Sequence, residues 1–155
     1  EIIGGLHEKL SGGTEKLTIE YQPCVEETTF LDTVTKMRER DLRMKSTCFG
    51  PHKDDLIFFN NGSEVKKYGS QGQQRSAALA LKLAQLEYVK NNTGEYPVLL
   101  LDDVMSELDS ERRTHLLKFI DGRVQTFITV NDKHLIPDLN NNAYFYIENG
   151  KVMQG

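Results

Sequence analysis

Two adjacent carboxylates, Asp102 and Asp103, close the apolar run Pro97-Val-Leu-Leu-Leu101. An acidic pair at the mouth of a buried strand can hold a hard divalent cation such as Mg²⁺ through one carboxylate and orient a water through the other. The plainer alternative is that both acids begin a loop or cap the next helix. Four residues on, Ser106-Glu-Leu-Asp109 places polar atoms just past that strand, where they could cross to a second subunit or a second nucleotide. Asp109 or Ser110 can also serve as a helix N-cap, worth about 1 kcal/mol. Upstream, Ser70-Gln-Gly-Gln-Gln-Arg75 precedes an alanine-rich helical stretch. The Ser70 hydroxyl, the Gly72 amide and the neighbouring N–H groups would then lie at the positive end of a helix dipole, a natural anion site, with Arg75 adding charge. Taken alone, the same residues read as a cap and a turn.

Carboxylates for a metal and a helix start for a phosphate suggest nucleotide chemistry, yet no Gly-x-x-x-x-Gly-Lys-Ser/Thr loop occurs in the 155 residues. The backbone cradle and lysine that grip β- and γ-phosphates must then come from elsewhere.

The elements that would position these residues follow from periodicity. Ile2 to Leu10 reads as a helix stopped by Ser11-Gly-Gly13, and Leu17 to Tyr21 alternates as a half-buried strand. Phe30, Leu31, Val34, Met37 and Leu42 recur at helical spacing through a charged segment ending near Met44, predicting an exposed amphipathic arm with one packed stripe. Leu56-Ile-Phe-Phe59, Asn60-Asn-Gly62 and Glu64 to Tyr68 predict a hairpin, because Asn-Gly supplies positive φ angles. Strong helix formers run from Gln73 to Val89. Pro97–Leu101, a helix over Ser110–Phe119 and the apolar strand Val124–Val130 predict a βαβ unit with parallel strands, whose carboxyl ends deliver Asp102 and Asn131. Tyr144–Ile147, Asn149-Gly150 and Lys151–Met153 predict a closing hairpin. The fold class is α/β.

Composition sets the outer limits. Hydrophobic residues make up 38% and charged residues 27%, and no apolar run approaches a membrane span of about 18 residues. Cys24 and Cys48 share no Cys-x-x-Cys spacing, which favours a reduced, cytoplasmic protein over a disulfide scaffold. The start at Glu1-Ile-Ile-Gly-Gly lacks an initiator Met and a signal pattern, so a cut from a longer polypeptide is expected. A net charge of −4 gives no global attraction to nucleic acid. Any DNA contact must rest on local basic residues: Lys36, Arg38, Arg40, Arg43 and Lys45 on the arm, or Lys66 and Lys67. Ion pairs on a solvated helix face are the alternative for the arm.

Taken in order, the helix start at Ser70, the apolar-Asp-Asp strand and Ser106-Glu-Leu-Asp109 resemble the ABC-type ATPase heads. With Gly50-Pro-His-Lys-Asp-Asp55 and Thr93-Gly-Glu-Tyr-Pro97 added, residues from about Glu27 to Gly155 resemble the C-terminal part of the bacterial RecF family of DNA replication and repair proteins. The resemblance implies an ABC head in which two protomers sandwich ATP and Mg²⁺. Ser70, Gln71, Gly72, Gln73 and Gln74 would be the signature reaching the partner's γ-phosphate, Asp102 the Mg²⁺-side carboxylate, and Asp109 part of a loop at the dimer interface. Asp103 would stand where many ABC enzymes carry a catalytic glutamate, consistent with slow hydrolysis used as a switch. Asn131 would take the place of a γ-phosphate-sensing histidine, without its charge, while His134 falls in a loop and His52 has a structural role. The resemblance divides the chain approximately into 1–92, an arm helix and signature-helix lobe, and 93–155, the Walker B βαβ portion of the ATP-binding lobe, incomplete without the N-terminal half. Implied partners are that N-terminal half, an ATP-dependent second copy, double-stranded DNA, and RecO- and RecR-type proteins that help load the RecA recombinase at gaps. Alone, the chain would lack ATPase activity. Two other readings stand beside this one: a non-catalytic DNA- or protein-docking lobe of ABC shape, and another SMC-type repair ATPase head, against which the absence of sustained heptads speaks.

Overall fold

The structure is a computed structural model that describes residues 2–136 and 142–154. Helix α1 (Ile2–Leu10) turns Leu6, His7 and Leu10 inward and stops where Gly12 and Gly13 take positive φ. Strand β1 (Leu17–Gln22) follows. Helix α2 (Phe30–Met44) ends on Lys45 in the left-handed region, its N–H donating to the Asp41 carbonyl. Strand β2 (Asp55–Asn60) returns antiparallel to β1, in register from Leu17 opposite Asn60 to Gln22 opposite Asp55.

After the Asn61-Gly62 turn the expected second strand of a hairpin over Glu64–Tyr68 does not form. Strand β3 is only Ser63–Glu64, and Val65–Tyr68 is a single helical turn, α3. Burial explains the difference: Val65 is packed into the core, the Gly69 N–H closes the turn on the Val65 carbonyl at 2.9 Å, and Lys67 reaches back to Glu64 at 2.7 Å.

Helix α4 (Gln71–Thr93) is longer at both ends than the expected Gln73–Val89 and is stopped by Gly94 in the left-handed conformation. Ser76, Ala77, Leu79, Ala80, Leu83 and Leu86 form its buried stripe, and α1 lies along it. Strand β4 (Leu99–Asp102), the short helix α5 (Val104–Glu107), helix α6 (Ser110–Ile120) and strand β5 (Thr126–Thr129) form the expected βαβ unit, with β4 and β5 parallel and Asp102 opposite Thr129. Strands β6 (Phe145–Glu148) and β7 (Lys151–Gln154) pair as the closing hairpin around Asn149 and Gly150, both at positive φ. One hydrophobic cluster takes Leu6, Leu10, Leu83 and Leu86 from before residue 92 and Leu99, Leu101, Met105, Leu116 and Leu117 from after it. No helix among the described residues is long and apolar enough to cross a membrane.

Two surfaces lack the cover their composition calls for. Along β4 burial alternates: Leu99 and Leu101 face the core, whereas Leu100 is 72% exposed and its register partner Phe127 on β5 is 56% exposed. Parallel strands are ordinarily covered on both faces. The arm α2 likewise has no buried residue; Leu31, Leu42 and Met44 are exposed, and of its apolar residues only Val34 and Met37 are half-buried. The expected packed stripe is therefore without a partner among the described residues.

Stability should respond oppositely on the two sides of β4. Leu101→Ala, which hollows the core, is expected to cost about 2–5 kcal/mol. Leu100→Glu, on the bare face, should stay within about 0.5 kcal/mol of the parent. Urea unfolding of this chain followed by circular dichroism measures both, and comparable losses would mean that the outer face is covered in solution.

Candidate functional site

The alternation that buries Leu99 and Leu101 sends Asp102 to the same side of the sheet as the bare Leu100–Phe127 pair. Its side chain is held by the neighbouring strand: the Thr129 hydroxyl donates to Asp102 Oδ1 at 2.6 Å and accepts from the Asp103 N–H at 3.0 Å. Among the described residues Oδ2 has no hydrogen-bond donor. Asp103 sits at φ 51°, ψ 18°, a left-handed turn that breaks the strand and starts α5, so the two consecutive carboxylates diverge. Among the described residues no three acidic, histidine or cysteine side chains gather into a metal cage. One strand-end carboxylate beside a hydroxyl still fits Mg²⁺, which keeps several waters and takes its remaining ligands from substrate phosphates. Asp102 would hold the ion, and the ion would neutralise phosphate charge.

A second group of polar atoms surrounds the start of α4. Ser70 is an exposed N-cap in a reciprocal capping box: its Oγ accepts from the Gln73 N–H at 3.2 Å, and its own N–H donates to Gln73 Oε1 at 3.0 Å. The cap thus consumes one lone pair of the Ser70 oxygen and leaves the hydroxyl proton free to donate. The Gln71 and Gly72 N–H groups precede the first residue that can find an acceptor within the helix. Together these donors can receive an anion at the positive end of a 23-residue helix. Gln74 turns back to the Gly69 carbonyl at 3.1 Å, and Arg75 pairs with Glu107 at 3.5 Å. Arg75 therefore bridges to the segment after β4, with its charge already partnered.

Asp109 is the N-cap of α6, accepting from the Arg112 N–H at 2.8 Å through Oδ1 and from Arg112 Nη1 at 2.8 Å through Oδ2. The Arg112 N–H, reinforced by the guanidinium, holds the Asp109 carboxyl below its ordinary value. The cap role is seen directly; half of the side chain still faces solvent. Asn131, two residues past β5, is exposed and makes no side-chain hydrogen bond among the described residues, and the His134 N–H donates to Asp132 in a 3₁₀ turn. In the Gly50–Asp55 segment, Asp54 accepts from the Cys24 N–H at 2.8 Å and from the Tyr21 hydroxyl, while His52 Nε2 lies 3.1 Å from the Thr47 carbonyl. These contacts anchor a loop against β1.

The Asp102–Thr129 group and the Ser70–Asp109 group share no hydrogen bond or ion pair among the described residues. The Ser70 and Asp109 segments, by contrast, meet through Glu15 and Arg112. On α2, Lys36, Arg40 and Arg43 fall at i, i+4 and i+7 on one face and Arg38 on the opposite one. None of these four is ion-paired among the described residues, so the alternative of internal ion pairs along the arm is not realised. Lys66 and Lys67 are engaged with Asp55 at 4.0 Å and Glu64 at 2.7 Å. Sequence reasoning missed Thr129, Glu15 and Arg112. Thr129 carried a signal, a hydroxyl at the end of the strand paired with the acidic one. Glu15 carried none, because its partners lie 58 and 97 positions away.

Asp109→Ala should destabilise the chain by about 1 kcal/mol at neutral pH through loss of the cap. A carboxyl whose folded pKa is depressed stabilises only above its unfolded value, about 3.9, and that contribution is lost as pH falls through the lower folded value. The gap between parent and variant should therefore narrow in acid; urea midpoints at neutral and acidic pH check this, and a pH-independent gap would contradict it.

No family model matches the chain. It is 46% identical over 165 aligned residues to the DNA replication and repair protein RecF of Enterococcus faecalis, covering 95% of this chain and 43% of that protein. To RecF of Lachnoclostridium phytofermentans it is 54% identical over 129 residues, covering 83% and 36%. To RecF of Bacillus subtilis it is 42% identical over 161 residues, covering 96% and 44%. Among solved structures, the recombination mediator protein RecF-ATPrS in the RecFOR pathway superposes with a TM-score of 0.72 at 39% identity, covering 99% of this chain and 42% of that one. The corresponding RecF-ATP structure gives 0.70. The chain spans less than half the length of these relatives. With the order of its motifs and the fold shared along its length, it belongs to the RecF family and corresponds to that family's C-terminal part, one portion of an ABC-type ATPase head.

Proposed function

We propose that this chain forms part of an ATP-dependent DNA-binding recombinational repair protein of the cytoplasm. It would supply the Mg²⁺-side carboxylate in cis and the γ-phosphate-contacting helix start in trans. The single observation that carries this is the bare Leu100–Phe127 face, which shares its side of the sheet with Asp102 and Thr129. An element covering that apolar face would arrive beside the metal carboxylate, as a strand and phosphate loop from the rest of the protein would. That the Asp102 group and the Ser70–Asp109 group share no hydrogen bond or ion pair among the described residues supports the same division of labour: each group addresses a different nucleotide, and two copies complete both sites.

Within this scheme Asp102 holds Mg²⁺, which supplies neutralisation of phosphate charge, and Thr129 fixes the carboxylate's orientation. Asp103 orients the attacking water, Asn131 offers an uncharged hydrogen bond to the phosphate, and Ser70 with the Gln71 and Gly72 N–H groups receives the partner subunit's γ-phosphate. Asp109 sits at the seam, with Gln73 and Gln74 holding the helix start in shape. The cations Lys36, Arg40 and Arg43 on α2, unpaired among the described residues, contact the backbone of double-stranded DNA, and action with RecO- and RecR-type proteins follows from the pathway named for the solved relatives.

The experiment that tests the site is ATP-dependent self-association of this chain joined to the phosphate-loop half. Ser70→Arg should weaken association by about tenfold or more while nucleotide binding by separate subunits persists; unaltered association by this variant would refute the trans assignment. For DNA, replacing Lys36, Arg40 and Arg43 together with Ala should reduce the salt-dependence slope of duplex binding by up to about three phosphate contacts. An unchanged slope in fluorescence anisotropy would move the DNA off the arm.

A further inference from the structure

Glu15 belongs to no helix or strand, yet its side chain is only 13% exposed. Oε1 accepts from Gln73 Nε2 at 3.3 Å and from Arg112 Nη2 at 3.2 Å, while Oε2 lies 3.5 Å from Nε2 of the fully buried His7 on α1. One carboxylate in the α1–β1 connection thus gathers α1, the first turn of α4 and the first turn of α6. Both hydrogen-bond donors are also engaged with a site residue on their other side. Gln73 Oε1 accepts the Ser70 N–H, and Arg112 Nη1 donates to Asp109 Oδ2. The same Nη1 would stand 3.6 Å from a Cβ placed on Gly72, so the guanidinium lies against the helix start. The exposed Arg75–Glu107 pair ties α4 to the end of α5, two residues ahead of Asp109.

Holding the fold together is a poor explanation for this arrangement. Withdrawing a carboxylate and a guanidinium from water is repaid only when every donor and acceptor is satisfied, and apolar replacements of such pairs are often as stable. Here Arg112 Nε and Glu15 Oε2 make no hydrogen bond among the described residues. The pair offers geometric constraint, since a forked cation and a carboxylate fix distance and angle where a greasy contact would slide.

We infer that Glu15 and Arg112 are positioning residues forming a clamp that locks the Ser70–Gly72 helix start and the Asp109 loop into one rigid surface, so that both meet a partner subunit's nucleotide as a unit. The inference rests on the preceding section's assignment of that surface to a trans role. Neither residue touches ATP; each acts through Gln73 or Asp109. Breaking the clamp at either end frees the two segments from each other, which lowers the affinity of one subunit for another without altering the phosphate loop or Asp102.

The test uses the full-length protein with Glu15→Gln and Arg112→Lys. Separate subunits are titrated with a fluorescent ATP analogue, and ATP-driven association is followed by sedimentation. Nucleotide affinity of the subunit should change less than about twofold and association should weaken about tenfold. The double variant should be no worse than either single one, because the two residues belong to one device. Mixing supplies a readout that misfolding cannot imitate. Glu15→Gln subunits mixed with Asp102→Asn subunits should regain ATP hydrolysis, since one composite site then has an intact cis half and an intact trans half; mixed with Ser70→Arg subunits they should not. Parent-like association by both variants, or loss of hydrolysis that Asp102→Asn subunits fail to rescue, overturns the clamp alone. Failure of the unaltered protein to associate with ATP overturns the trans assignment and the clamp with it.

Discussion

Parallel strands are ordinarily covered on both faces, and among the described residues β4 and β5 are covered on one. What can reach Asp102 follows from which face that is. Leu99 and Leu101 pack inward onto Met105, Leu116 and the α4 stripe, and by strict alternation Leu100 and Asp102 look the other way. The side of the sheet left bare among the described residues is the side that carries Asp102. Hydrophobic burial, the largest favourable term in folding, therefore acts here as an address: whatever element satisfies Leu100 and Phe127 is delivered next to Asp102 and Thr129.

A different economy governs the start of α4. Ser70 spends one lone pair on the Gln73 N–H and Gln73 returns the favour, so the first turn of α4 is held in shape while the Gln71 and Gly72 amides stay open. A flexible glycine-rich start would have to order on ligand arrival, and that entropy would be subtracted from affinity. Preorganised by a capping box and braced from behind by Gln73's contact to Glu15, the donors are already in place.

Much of this was legible in the sequence. The βαβ unit was readable because Pro97–Leu101 and Val124–Val130 are continuous apolar runs separated by a helical stretch of the right length, and the Asn149-Gly150 hairpin because few residue pairs tolerate two consecutive positive φ angles. Val65–Tyr68 was misread as strand because its pattern is too short to separate alternation from a helical turn; tertiary burial of Val65 decided it. The packed stripe on α2 was correctly patterned but has nothing to pack against among the described residues. The places of Asp102 at a strand end and of Ser70 and Asp109 at helix starts were readable from residue type beside a strong element boundary. Glu15 and Arg112 could not, since a lone acid in a loop and an arginine in a charged helix gain meaning only when the chain brings them within 3.2 Å.

Asp103 shows how backbone shape can choose a functional group. Its φ of 51° lies where the Cβ of most residues crowds the following carbonyl, and where aspartate and asparagine are among the few non-glycine residues found with any frequency. The turn that ends β4 and launches α5 thus favours aspartate, whose short polar side chain is tolerated in this region, over glutamate before any chemistry is considered. Replacing this acid with a glutamate would therefore burden the turn that joins β4 to α5.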